Sequence, residues 1–456
     1  MNYGILSLIP VVVLFVLIFT TKRMLLSLTV ASLAGSILLG GWNFASVWLE
    51  QIQAAFMGGT VGYLFLLLAL FGILIRLLDK SGAAIEFANW LSRYANTRRK
   101  AMLLTFFLGW IIFVDDYLNN MAVSTAMKRV CDRHRIPRTL FGFLVNCTAA
   151  PVCVLIPVST WAVFYGGLFE QHGVTVGGSG MNAYYAGIPF LFYAWILLII
   201  CLLVILGVFP LIGVTRKDNK LALEEGIVCT EERSLDGKEI RCDDAEEEAS
   251  HKKNPFKFLI PMAVIIALTI ITNDVMVGCM GAILVTIIII LIGKQMKLTE
   301  LFDAMFEGVG SMVQICCVIA VAISLVGINN ATGMAEYLVE AVSPYLTGAV
   351  FPALVFAFCA LYTFFAGGFW DGSMIFMPIV VPIAHVLGMN PLIPCMALVC
   401  AATAGSTAYV AGDAIMITSR AVDIKPYYQM MGTFPYALIS YALTIVAFLI
   451  TGFVMC

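Results

Sequence analysis

Asp115 and Asp116 stand side by side in the run Phe113-Val114-Asp115-Asp116-Tyr117-Leu118-Asn119-Asn120, inside an otherwise apolar stretch, 101–127. One Asp at the centre of a membrane helix costs about 2.5–3.5 kcal/mol on insertion scales. Two adjacent carboxylates at such depth are tolerated where they face a cavity, a cation or a proton. A structural ion pair is the competing explanation, but no Lys or Arg lies between Lys100 and Lys128. The local partner is missing, so the pair reads as ion-carrying. Asn119 and Asn120 add neutral oxygens suited to a hard cation such as sodium, although the same residue type also serves turns and helix caps.

Three further runs carry polar groups into apolar surroundings. Asn146-Cys147-Thr148-Ala149-Ala150-Pro151 is followed by Pro157, Ser159 and Thr160. Proline removes a backbone donor and frees carbonyls, and broken helices of this kind present carbonyls and helix ends to an ion or substrate; a plain structural kink is the alternative. Ala366-Gly367-Gly368-Phe369-Trp370-Asp371-Gly372-Ser373 is a Gly-rich turn holding one Asp between apolar arms. Thr403-Ala404-Gly405-Ser406-Thr407 leads to Gly412-Asp413 and Thr418-Ser419-Arg420. Its small residues also suit close helix packing, but Asp413 stands seven residues from Arg420, beyond the usual i,i+4 pair. The candidate ion or substrate site is therefore Asp115, Asp116, Asn119, Asn120, Thr148, Pro151, Ser159, Asp371, Ser373, Thr403, Ser406 and Asp413. Asp116, Asn119 and Asp371 are the candidate sodium ligands.

The elements that must hold these residues are membrane spans. The chain of 456 residues is 61% hydrophobic and only 12% charged, against about a quarter charged in soluble domains. Spans of about 20 apolar residues read at 4–20, 24–41, 59–79, 139–164, 187–213, 257–272, 275–293, 308–328, 391–411 and 431–454. The first run ends in Thr21-Lys22-Arg23 and reads as a span, not a cleaved signal. Stretches 101–127 and 349–381 are apolar but interrupted. Basic residues concentrate on the cytoplasmic side, and the 101–127 stretch is basic at both flanks, with Arg98, Arg99 and Lys100 before it and Lys128, Arg129 and Arg133 after. It is expected to enter and leave on one side as a re-entrant hairpin, and 349–381 likewise. Both termini then fall outside, and the hydrophilic segment 214–256, with its Glu run at 246–248, becomes a cytoplasmic linker expected to be disordered.

Each half then holds five spans and one hairpin. An odd number inverts the second half, so 1–213 and 257–456 form an inverted repeat, an architecture of secondary transporters. Asp116 and Asp371 stand 255 residues apart, as do Thr148-Ala149 and Thr403-Ala404. Gly59-Thr60 and Gly310-Ser311 stand 251 apart, as do Gly82 and Gly333. The fold class is an all-α polytopic membrane protein.

Other functions lack their signatures. There is no phosphate loop, no H-E-x-x-H and no nucleophile–His–Asp set, so no enzyme is expected and no cofactor beyond transported sodium or protons. The 13 Cys show no metal or haem spacing and read as small buried hydrophobes. Net charge is −2 with no basic, aromatic surface, so nucleic acid is not an expected partner; membrane lipid and a small ion or solute are.

The run Phe113-Val114-Asp115-Asp116-Tyr117-Leu118-Asn119, together with Thr148-Ala149-Ala150-Pro151-Val152-Cys153-Val154-Leu155-Ile156-Pro157-Val158-Ser159-Thr160-Trp161, resembles the NhaC-type sodium/proton antiporter family of the ion-transporter superfamily. The likeness extends to Phe434-Pro435-Tyr436-Ala437-Leu438. It implies a scaffold domain, a mobile transport domain with two re-entrant hairpins, a homodimer in a bacterial inner membrane, and exchange of sodium for protons, with some relatives moving small organic acids. The second half departs from the pattern. A Gly-Thr-Ser-Trp-Gly-Thr-like run is replaced by Gly367-Gly368-Phe369-Trp370-Asp371-Gly372-Ser373, and a Ser-Pro-Ile-Ser-Asp-Thr-Thr run by Ala414-Ile415-Met416-Ile417-Thr418-Ser419-Arg420. One acidic position is lost and Asp371 is gained, which leaves a sodium- or proton-coupled carrier of an amino acid or small organic acid as the rival expectation. A channel or a non-transporting receptor is the further one.

Overall fold

A computed structural model describes residues 3–455 except 22–23, 58–59, 243–253, 273, 335–336, 338–346, 367–368 and 410–412. The chain is helical almost throughout. In lipid a backbone has no water to bond, so each apolar segment satisfies its own N–H and C=O groups.

Helices α1 (Ile9–Thr21) and α2 (Met24–Gly40) form an antiparallel pair with Pro10 against Gly35. After a 3-10 turn at Gly41–Asn43 the chain folds back as α3 (Phe44–Met57), and Trp48 Nε1 donates to Ser32 Oγ at 2.8 Å. The sequence reading passes over α3, because Glu50, Gln51 and Gln53 dilute its apolar run. Next come α4 (Thr60–Lys80) and the short α5 (Ala83–Ser92).

Helices α6 (Arg98–Ile111) and α7 (Asp116–Arg133) make the expected helical hairpin. Its open end is closed by His134 Nε2 at 2.7 Å from the Ala95 carbonyl, and Thr105 Oγ1 lies 3.7 Å from Cys131 Sγ. Both arms therefore leave at the same, basic end. The next segment is broken into α8 (Arg138–Thr148), α9 (Ala150–Leu155) and α10 (Thr160–Gln171). Then α11 (Gly180–Gly187) leads to α12 (Phe192–Leu206), with a bend of 45° between the two segments.

The expected disordered linker is in large part folded. It contains α13 (Gly213–Glu224) and the antiparallel strands β1 (Ile227–Cys229) and β2 (Ile240–Arg241). Polar anchors, the one at Asp218 buried, explain the order. Asp218 pairs with Arg233 and accepts from Thr139 Oγ1 at 2.7 Å, Asn219 accepts from Arg98, and the Glu232 carbonyl takes Lys425 Nζ at 2.6 Å. The acidic run at 243–248 lies outside the described residues.

The second half runs α14 (Phe256–Thr272), α15 (Val275–Ile292), α16 (Leu298–Ala331), α17 (Phe351–Ala366), α18 (Phe369–Val386), α19 (Leu392–Ala408), α20 (Asp413–Ala421) and α21 (Pro426–Met455). The path α3–α4 runs antiparallel to α16: Gln51 meets Gly327, Ala55 meets Ala320, and Gly72 meets Gly308. A Cβ at Gly72 would sit 2.3 Å from the Gly308 carbonyl oxygen, so only two glycines permit this crossing. Beyond it Arg76 and Lys80 both hold Glu307. Helices α17 and α18 pair as a second hairpin, with Tyr362 and Phe376 ring centroids 5.1 Å apart. The order hairpin, buried helix, break, helix thus occurs twice: α6–α7 with α8–α10, and α17–α18 with α19–α20.

Among the described residues, Leu25–Met57 (folded back on itself at Gly41–Asn43), Arg138–Leu155, Val275–Ile292 and Pro426–Met455 are by length and composition apolar enough to cross a membrane, and the bent α11–α12 pair makes a further candidate. Of the other spans read from the sequence, 59–79 and 308–328 correspond to the unbroken helices α4 and α16, whereas 4–20, 257–272 and 391–411 correspond to shorter apolar helices. Helices α8, α9 and α19 are buried along their whole length, whereas α14, α15 and α21 expose Ile270, Ile271, Ile292, Phe453 and Val454. An apolar outer face of this size suits lipid.

Candidate functional site

The tip of the first hairpin is built by its two aspartates in different ways. Asp115 has extended backbone and caps α7: its Oδ1 accepts from the N–H groups of Tyr117 and Leu118 at 3.0 and 3.1 Å, and its Oδ2 from Thr160 Oγ1 at 3.2 Å. A capping carboxylate satisfies the otherwise orphaned first N–H groups of a helix. Asp116 is the first helical residue, and its Oδ1 accepts from Trp161 Nε1 at 3.2 Å. Both side chains are buried. The backbone of the tip is fixed as well, since Val114 O accepts from Thr160 N at 3.0 Å and Phe113 O from Cys153 Sγ at 3.1 Å.

The facing break follows from its prolines. Pro151 has no N–H to donate to the preceding turn, and Ala149 leaves the helical region at ψ −96. The Thr148 carbonyl accepts from Asn119 Nδ2 at 3.1 Å, and the same amide nitrogen lies 2.7 Å from Gly109 O and 2.8 Å from Ile112 O. One amide therefore ties hairpin to break. Gly109 has no room for a side chain, because its Cβ would sit 2.3 Å from Thr148 Oγ1. After Pro157, Ser159 caps α10, accepting from Ala162 N at 3.1 Å and donating to Cys153 O at 2.6 Å.

Asn119 and Asn120 differ in what they offer a cation. Asn119 Oδ1 is buried with no protein partner among the described residues. Asn120 Oδ1 instead accepts from Thr418 Oγ1 at 2.9 Å, and its Nδ2 is the unpartnered atom. The Thr148 carbonyl, expected to be free, carries the Asn119 bond.

Besides Thr418, the second half meets this site through Ser373 and Thr407. Ser373 Oγ lies 2.7 Å from Tyr165 Oη, Asn146 Nδ2 donates to Thr407 O at 2.8 Å, and Tyr193 Oη lies 2.7 Å from Thr407 Oγ1. Thr403 Oγ1 bonds within its own helix to Val399 O at 2.8 Å, and Ser406 Oγ is buried without a protein partner among the described residues. Asp371 sits in the first turn of α18 and Asp413 opens α20; their side chains, with Gly367, Gly368 and Gly412, lie outside the described set. No group of three His, Cys, Asp or Glu poised for a metal occurs among the described residues.

The sequence reading gave no role to Trp161, Tyr165 or Tyr193. Trp161 and Tyr165 stand four residues apart after the break, the spacing that places two side chains on one helix face, and this was the available signal.

Comparison with known proteins agrees with this architecture. Residues 152–453 match the Na+/H+ antiporter family. An uncharacterized protein of Haemophilus influenzae is 25% identical over 98% of this chain and 91% of its own. The YdaH transporter of Alcanivorax borkumensis shares the fold with a TM-score of 0.66 at 13% identity, over 90% of this chain and 88% of that one. MtrF of Neisseria gonorrhoeae, from a class of antimetabolite efflux pumps, shares it with a TM-score of 0.58 at 15% identity, over 91% and 85% of the two chains.

Proposed function

The chain belongs to the Na+/H+ antiporter family, and we propose that this secondary transporter exchanges sodium for protons at Asp116. The observation that carries the reading is the buried Asp116 carboxylate on the first turn of α7, hydrogen-bonded to Trp161, with Asn119 Oδ1, which has no protein partner among the described residues, one turn below. A helix N-terminus favours an anionic side chain, so the site holds a negative charge that either a proton or sodium neutralises. Protonation removes the charge that retains the cation, and the two ions compete for one carboxylate. Asp371, Asp413 and the oxygens near Thr403 are candidates to complete the shell from the second half. In proteoliposomes loaded with a pH dye, Asp116→Asn is expected to abolish sodium-dependent proton flux. Full flux in that variant would overturn the assignment.

Alternating access comes, in this reading, from a transport bundle containing both hairpins moving against a scaffold. The halves 1–213 and 257–456 are inverted repeats, the hairpins are re-entrant, and 214–256 is cytoplasmic. The termini then lie outside a bacterial inner membrane, and the protein works as a homodimer. Support comes from the gathering of Lys128, Arg138 and the ends of α6 and α7 at one basic end.

A second reading is a sodium- or proton-coupled carrier of an amino acid or small organic acid. It is favoured by the second hairpin, where Ser373 and Tyr165 form a neutral hydroxyl pair beside the altered Asp371 turn. Proton flux that requires an added organic solute supports this reading over ion exchange.

A further inference from the structure

Below Asp116, α7 carries a polar side chain at every fourth position: Asn120, Ser124, Lys128 and Asp132. Residues four apart are neighbours on a helix surface, so the series winds from the hairpin tip to the basic end. Asn120 and Ser124 are fully buried. Asn120 Nδ2 and Ser124 Oγ have no protein partner among the described residues. Ser124 shares this with Ser406 and differs from buried threonines in the neighbouring helices. Thr105, Thr148 and Thr403 each donate to the carbonyl four residues back. A buried polar group left without a bond is costly, and such groups are commonly satisfied by internal water. The opposite wall is α20, whose Thr418 reaches Asn120, and the turn after it, whose Asp423 Oδ2 lies 2.7 Å from Lys128 Nζ. Lys128 and Asp423 are part-exposed, so the series opens toward solvent at this ion pair.

We propose that the Asn120–Ser124 face of α7 against α20 is a hydrated ion path from Asp116 to the basic end, closed in this structure by the Lys128–Asp423 pair. The inference rests on the reading of Asp116 as the ion carrier. It adds the route, the gate and the element that must move, since separating α20 from α7 breaks the pair and widens the path.

The test uses the full chain in inverted and right-side-out vesicles. Ser124→Cys and, separately, Asn120→Cys are treated with a cationic, membrane-impermeant thiosulfonate, with the parent chain as background for its own cysteines. Modification above background, only from the side bearing Lys128 and several-fold faster after Asp423→Asn, is expected. Modification from the opposite side alone, or none in either variant with Asp423→Asn added, overturns the path. Sodium-driven proton flux is measured on the unmodified parent vesicles. Labelling without that flux keeps the path and removes the sodium/proton reading; flux without labelling does the reverse.

Discussion

Trp161 Nε1 donates to Asp116 Oδ1 across 3.2 Å, joining the tip of one helical hairpin to the first turn of the helix beyond the break. The indole fixes one oxygen of the carboxylate. A hydrogen bond to a charged group contributes about 1.5–3 kcal/mol. Trp161→Phe keeps an aromatic ring but removes the donor together with part of a fully buried indole, so sodium-dependent exchange is expected to fall by at least roughly tenfold, the lower end of that range. Proteoliposome flux at saturating and limiting sodium reads the loss, and wild-type rates at both would show that the bond has no part in transport.

The adjacent carboxylate has a different task. Asp115 accepts from two backbone N–H groups and one hydroxyl, so its loss uncaps α7. Asp115→Ala is expected to cost about 1–2 kcal/mol of stability, whereas Asp115→Ser, which can still cap, retains most of it. Thermal unfolding in detergent compares the two. Equal stability of the Ala and Ser variants contradicts a capping role.

Much of this arrangement was legible in the sequence. Basic clusters on both flanks of 101–127 signalled a hairpin, and Pro151 and Pro157 signalled the break, because both features are local. The split between Asp115 and Asp116 was not, since it depends on Thr160 and Trp161 arriving from the next segment. Nor was the order in the linker, where Asp218 finds Arg233 and Thr139 only after folding. The helix at 44–57 was hidden by its glutamines, which read as loop until Gln51 is seen against Gly327.

Asn119 is expected to be the least replaceable polar residue of the break. The two hydrogens of its Nδ2 are shared among three buried carbonyls, those of Gly109, Ile112 and Thr148, and each buried group left without a bond costs about 1–3 kcal/mol. Asn119→Asp is nearly isosteric yet replaces the donor by oxygen, so it is expected to destabilise at least as much as Asn119→Ala. Size-exclusion profiles after mild heating check the order, and a stable Asp variant would contradict it.

Docking of the linker protects Cys229. Burial pushes its thiol up to about 11, so the reactive thiolate is scarce at neutral pH and becomes abundant only as pH rises toward that value. Slow maleimide labelling of Cys229 at pH 7 is therefore expected, accelerating with pH. Arg233→Ala removes the partner of Asp218 and should release the segment, raising labelling at pH 7. Mass spectrometry of the peptide reads both, and unchanged labelling means that the segment stays docked without the pair.

Arg138 binds the pieces of the candidate site to one another. Its guanidinium holds Asp132 through Nε at 3.0 Å and Nη2 at 2.8 Å, and through Nη1 reaches Val422 O at 2.8 Å and Asp423 at 3.0 Å. It thereby joins α7, α8 and the turn after α20. Arg138 and Asp132 side chains are almost fully buried, and removing one partner of a buried pair costs about 3–5 kcal/mol because the other charge is left unpaired. Arg138→Ala is thus expected to fold poorly, and Arg138→Lys to rescue little, since an ammonium cannot reproduce the planar fork. Arg138→Met with Asp132→Leu leaves neither of those two charges buried, so the double variant should be more stable than Arg138→Ala alone. A double variant as unstable as the single one would mean that the contacts to Val422 and Asp423, not the Asp132 pair, hold the three elements together.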